Sequence, residues 1–335
     1  MSQKVTWKRG MRLSTEVFNA MDTAHDESLR LMSQLASAAR FGLFPSSEPF
    51  ELSVNINNNT LEIVSLSCHG VTKNGNIIDI DFDSTYLNTF DTRITIPAAN
   101  ENDTFLIIVR MYDNQWREVN EIYSEAMYTF ELVGENTRLD EHSLPIGCVI
   151  KQYGWRLNET DFVPPCLYIT AHPRYMEQWE KCLRLSKSIF DKCISAQNCV
   201  AKYILSCIGT AAVGIFQRID KERDTLTPAQ LYASLQQLIS SFLLGCTLDD
   251  YISLENPDPY ILYAQKPLDL RNIYKDIESG ISLCSEIDTK MNAICSITVV
   301  QDAPPEPVVQ KPKPKPKPEP EEKPRGRNRW QGPII

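Results

Sequence analysis

Residues 157–173, LNETDFVPPCLYITAHP, decide the fold. Upstream of them apolar residues alternate with polar ones; downstream they recur every third or fourth position. The stretch holds a double proline and sets Cys166 close to His172, so it reads either as a joint or as the mouth of an active site. Each proline fixes φ and lacks a donor, which stiffens the chain at Pro164-Pro165. Cys166-Leu167-Tyr168-Ile169 is then expected to form a short closing strand, stopped by His172-Pro173 before a helix. The joint is the simpler reading.

Working back toward the N-terminus, residues 50–170 read as β structure. FELSVNI (50–56) and LEIVSLS (61–67) alternate around an Asn-rich turn, and Asn74-Gly75 is a two-residue hairpin signal. IIDIDF, TRITI, FLIIVRMY, AMYTFEL and LPIGCVIKQY complete a set of short strands, the pattern of an antiparallel sandwich or barrel. Before them, 14–41 is expected to be a helix capped at Ser14 or Thr15, with Phe18, Met21, Leu29, Met32 and Leu35 at helical spacing, ended by Gly42 and Pro45.

Beyond Pro173 the chain is helical. Cys182, Ile189, Cys193, Val200 and Cys207 share one face, while Gly209 and Gly214 weaken a single unbroken helix. A second helix starts at Thr227, with Pro228 at its first position, Gln230 completing a capping box, and Leu231, Leu235, Leu238 and Phe242 as its apolar stripe. A loop carrying ENPDP follows. A third helix carries Leu270, Ile273, Ile277, Ile281, Cys284, Ile287, Met291 and Ile294 at intervals of three and four, which suggests a coiled-coil-like seam, within one chain or between copies, with isoleucine leaning away from dimers toward a trimer. From 301 alternating Lys-Pro favours extended polyproline II, so the end of the chain is expected to be a disordered tail with docking candidates Arg327, Arg329 and Trp330.

The net charge is −9, but residues 301–335 hold eight Lys/Arg and five Asp/Glu; that segment carries +3 and the remainder −12. An acidic body is a poor match for nucleic acid. There is no signal-like apolar segment at the N-terminus and no run of about 18 apolar residues, so the ten cysteines are expected to be reduced and the protein cytoplasmic, without a membrane span. Cys166 with His172, and Cys148 with His142, could pair as nucleophile and base, but no catalytic signature surrounds them. Cys182, Cys193, Cys199 and Cys207 lack metal-ligand spacing. No phosphate- or dinucleotide-binding glycine motif occurs, and His25 and His69 stand alone. No catalytic, cofactor or metal residue is assigned.

Several features in order resemble the TssK family, the trimeric baseplate subunit of bacterial type VI secretion systems, a contractile injection machine. Val5-x-Trp7-x-x-Gly10-Met11-x-Leu13 followed by Phe18 is similar to the family's opening; Phe41-Gly42-Leu43 matches a glycine-leucine turn. Leu144-Pro145-Ile146 and Phe162-Val163-Pro164-Pro165-Cys166-Leu167 match the close of its β domain, and Thr227-Pro228-x-x-Leu231-Tyr232 and Lys266-Pro267-Leu268-Asp269-Leu270 match its proline-led helix starts. The resemblance spans roughly 1–295. Two departures stand out: Ser14-Thr15-Glu16-Val17-Phe18 replaces the family's Pro-Gln-x-Phe, and the family's C-terminal head has only the proline-rich 296–335 in its place.

The resemblance implies an α+β chain with an N-terminal segment and helix (1–45), an antiparallel β-sandwich or barrel shoulder (46–172), a helical-bundle neck that trimerises (173–298), and a tail (299–335). It implies contacts with TssF- and TssG-like wedge proteins through the N-terminal segment and shoulder, with Trp7, Gly10, Met11, Leu13 and Phe18 as candidates. Pro164, Pro165 and Pro173 would form the shoulder–neck joint. A membrane-associated anchor at the inner face of the inner membrane would be reached through the tail. A phage-like tail baseplate or receptor-binding protein is the alternative expectation.

Overall fold

The computed structural model describes residues 12, 14–36, 40–82, 91–100, 103–118, 124–196, 198–270 and 272–298. Among these residues it is an α+β fold with six α-helices and two antiparallel sheets packed as a sandwich, with no closed barrel.

In the first sheet the twelve-residue β3 (Thr60–Val71) runs down the middle. β2 (Glu51–Asn57) pairs along one part of it, turning through Asn58, whose φ of 53° suits the left-handed region that asparagine tolerates. β1 (Gly42–Leu43) pairs with Gly70 and Val71 of β3, β4 (Ile77–Phe82) with its residues 66–71, and β5 (Arg93–Thr95) with its residues 60–62. The second sheet runs β7 (Ser124–Gly134), β6 (Thr104–Glu118), β8 (Ser143–Lys151), β9 (Trp155–Leu157). Alternate residues turn inward: Leu61, Ile63 and Leu66 of β3 share one buried cluster with Ile107 and Val109 of β6 and Leu144 and Ile146 of β8. Asn74-Gly75 does not make a two-residue hairpin. The connection is the five-residue loop Thr72–Asn76, closed by Thr72 N–H to Asn76 O at 3.0 Å and held by buried Thr72, Asn74 and Asn76 side chains.

The first helix, α1 (Thr15–Ala36), ends before Gly42, which instead sits in β1 with φ +141°. A Cβ there would lie 2.5 Å from the Pro165 carbonyl oxygen, so only glycine allows the approach.

The helical half is a bundle of α2 (Pro173–Ser195), α3 (Lys202–Lys221), α4 (Pro228–Leu248) and α6 (Ile273–Cys295), with the short α5 (Asp258–Gln265) packed on α4. The capping box is present: Gln230 N–H donates to Thr227 Oγ1 at 3.2 Å and Thr227 N–H to Gln230 Oε1 at 2.8 Å. Leu231, Leu235, Leu238 and Phe242 are buried. By length and hydropathy α4 could cross a membrane, yet that stripe faces the other helices. The break between α2 and α3 falls at 196–201, not at Gly209 or Gly214; Gly209 instead lets α3 approach Cys193 of α2. Part of the expected ENPDP loop is α5, whose Tyr260 and Tyr263 pack on Phe242 and Tyr232 of α4.

The isoleucine stripe of α6 is corrected most. Ile273, Ile277, Ile281, Cys284, Ile287, Met291 and Ile294 are buried against α2 and α4 of the same chain, with Leu270 half-buried at the same core. Periodicity showed that this face is covered, but the cover is intramolecular; the stripe offers no surface to a second copy. Ile287→Ala should therefore leave a cavity and cost about 3 kcal/mol of stability in denaturant unfolding, with the molar mass by light scattering unchanged.

Candidate docking surfaces

The cysteine–histidine pairs are built into the fold. Cys166 is buried and its Sγ lies 3.4 Å from the Pro164 carbonyl oxygen; desolvation holds the thiol well above its usual pKa. His172 turns the other way and caps α2: its Nδ1 accepts from Arg174 N–H at 3.3 Å, and its ring packs 5.9 Å from Phe50. Burial, then the Arg174 charge, lower the His172 pKa to about 4. Cys148 is buried on β8 with its thiol pushed up to about 12, while His142 Nδ1 meets the Asn74 amide at 2.9 Å. Cys182 and Cys199 are buried in the bundle, Cys199 Sγ contacting Ile294 O at 3.1 Å. All ten cysteines are free, and no group of three or more His, Cys, Asp or Glu that could hold a metal ion is found among the described residues.

The opening stretch is a joint, though without the expected closing strand. Pro164 and Pro165 are buried. Leu43 N–H donates to Pro165 O and Leu167 N–H to Leu43 O, both at 2.8 Å; this one parallel bridge, Leu43 to Cys166, replaces the strand. A 3-10 turn follows at Ile169–Ala171, fastened by Ile169 N–H to Leu226 O at 2.9 Å, and Pro173 begins α2. Arg174 then locks the pieces. Its guanidinium donates to the carbonyls of Glu159 and Thr160, lies 4.5 Å over the Tyr274 ring of α6, and comes 3.9 Å from Glu278.

Two surfaces stand out among the described residues. The first is α1, which buries none of its 22 residues. The second is one side of the bundle. The outer faces of α2 and α6 carry charges, including Glu177, Lys181, Arg184 and Lys187, and Lys275, Glu286 and Lys290. The middle of α3 and all of α4 do not: residues 203–217 and 225–248 contain no charged side chain, the charges of α3 lying at its two ends. Tyr203, Leu244 and Leu248 are exposed on α3 and α4, Tyr203 at 65%. Gly245 lets Ile204 of α3 seat directly on α4, which brings Tyr203 to the crossing that Leu244 and Leu248 flank. Sequence reasoning missed this face, although the two charge-free runs were a readable signal.

Of the wedge-contact candidates, Phe18 is exposed on α1, while Trp7, Gly10, Met11 and Leu13 lie outside the described residues, as do Arg327, Arg329 and Trp330.

The chain matches no family model and no curated protein. It does match solved TssK structures. One is TssK of the EAEC type VI secretion system in complex with a nanobody, with TM-score 0.54, 15% identity, and coverage of 81% of this chain and 69% of that one. A second TssK crystal structure gives TM-score 0.57 at 14% identity, covering 86% and 69%. The third is a type VI secretion system TssK–TssF–TssG baseplate subcomplex, with TM-score 0.54, 15% identity, 87% of this chain and 99% of that one. The chain has a TssK-like fold.

The His172 cap gives a pH test of the joint. The unfolded chain takes up a proton near 6.5, which the folded imidazole refuses until about 4, so the contribution is whole above 6.5 and is lost as pH falls through that window. His172→Asn keeps a cap and removes the titration; its Tm should fall less than the wild type's between pH 7 and pH 5.

Proposed function

We propose that this TssK-like chain is a non-catalytic structural subunit of a type VI secretion baseplate. It acts as a homotrimer, meets TssF- and TssG-like wedge proteins through its N-terminal β half, and connects the assembly to a membrane-associated anchor through residues 299–335. It works in the cytoplasm, at the inner face of the inner membrane. The observation that carries the reading is the match of 87% of this chain to 99% of the chain resolved in a TssK–TssF–TssG subcomplex.

The physical support is the division of labour between surfaces. A body with net charge −12 repels its own copies except where charge is absent. The outer side of α3 and α4 is such a place over residues 203–217 and 225–248, and its small residues (Ser206, Thr210 and Gly214 on α3; Ala233 and Ser240 on α4) let helices approach closely. The trimer therefore forms on this side, with the α6 stripe inside each subunit. The joint held by Arg174, Tyr274 and the Leu43–Pro165 bridge makes shoulder and neck one stiff lever between a wedge and an anchor.

Ser240 and Leu244 are exposed, so the double variant Ser240→Lys, Leu244→Lys should melt like the wild type but sediment as a monomer at micromolar concentration. An unchanged trimer would move the contact elsewhere, and a wild-type monomer would remove this part of the reading. Co-expression with the wedge pair tests the rest: a stable complex is expected, and its absence would overturn the baseplate role.

A further inference from the structure

α1 is a 22-residue helix with no buried side chain. Most helical stability in proteins comes from packing an apolar face, and here the packing is on the wrong side. Arg30 Nη1 donates to Asn74 O at 3.0 Å and Gln34 Nε2 donates to the same carbonyl at 2.7 Å. Gly75, at φ +91°, lets the helix backbone settle on the loop; a Cβ there would meet Arg30 O at 2.5 Å. At about 100° per residue, Val17, Met21, Met32 and Leu35 fall within roughly 60° of one another, and Arg30 and Gln34 lie on the opposite side. The helix is thus tethered by its polar side and presents its apolar stripe outward, Met32 at 67% and Leu35 at 81% exposure.

The charges on α1 say what covers the stripe. Asp22 lies on one flank and Glu16 and Glu27 on the other, with Asp26 behind; the one arginine of the helix is spent on the Asn74 carbonyl. A second copy, acidic like the first, is a poor partner for such a helix.

We propose that α1 is a docking helix that inserts into an apolar groove rimmed by Lys or Arg on a partner protein, methionine side chains adapting to the groove and carboxylates meeting its rim. The proposal rests on the baseplate reading for the partner's identity, a wedge protein, and adds the chemistry of the contact.

The test uses the full-length chain and a co-purified TssF–TssG-like pair. Met21→Glu with Met32→Glu should leave melting unchanged, because both side chains are exposed, and weaken binding at least tenfold. Asp22→Lys with Glu27→Lys, one carboxylate from each flank of the stripe, should weaken it too and flatten its salt dependence between 50 and 300 mM. In hydrogen exchange, amides 15–36 should exchange freely in the free chain and become protected in the complex. Wild-type affinity in the methionine variant, or protection confined to other segments, would overturn the docking helix while leaving the baseplate reading intact. Failure of the wild type to bind the pair would overturn both.

Discussion

The structure turns on one continuous core that crosses from sandwich to bundle. Cys166, Ile169 and Tyr175 are buried in the same cluster as the β3 and β8 side chains on one side and Tyr274 and Ile277 on the other. The Leu43–Pro165–Leu167 hydrogen bonds hold the chain at the crossing, and the Tyr175 and Tyr274 rings meet edge to face at 5.4 Å. The two halves are thus packed on one shared core.

With the inside occupied in this way, the remaining apolar surface becomes informative. The α6 isoleucines are satisfied inside the bundle, so the exposed Tyr203, Leu244 and Leu248 are not leftover core. On their side of the bundle residues 203–217 and 225–248 carry no charge in a strongly acidic body, which suits it to meeting copies of itself. The outward stripe of α1 lies in the other half of the chain and is lined by carboxylates. One surface is self-compatible and the other is not, which is what the proposed scaffold, with one homotypic and one heterotypic contact, needs.

Much of the fold was legible because period is local. Alternation gave seven of the strands in order, and Thr227, Pro228 and Gln230 marked the start of α4 through chemistry confined to four residues. β1 and β9 escaped because Gly42-Leu43 and Trp155–Leu157 are short and, unlike β5 within TRITI, are not set in an alternating stretch. The turn between α2 and α3 carries neither Gly nor Pro, and α5 begins among prolines that suggest a loop, although Pro259 sits in its first turn, where a missing donor costs nothing. The α6 stripe shows the deeper limit: spacing shows which face is covered, never whether the cover belongs to the same chain. The outward stripe of α1 and the uncharged neck face were written in residue type, but seeing them as surfaces required knowing what the core had already claimed.

The most direct test of the account is an electron cryo-microscopy reconstruction of the full-length protein. The account predicts three copies in contact along the outer sides of α3 and α4, with Ile277, Ile287 and Met291 enclosed within each subunit. Subunits joined through those α6 residues, or a single copy with Tyr203 and Leu244 facing solvent, would contradict it.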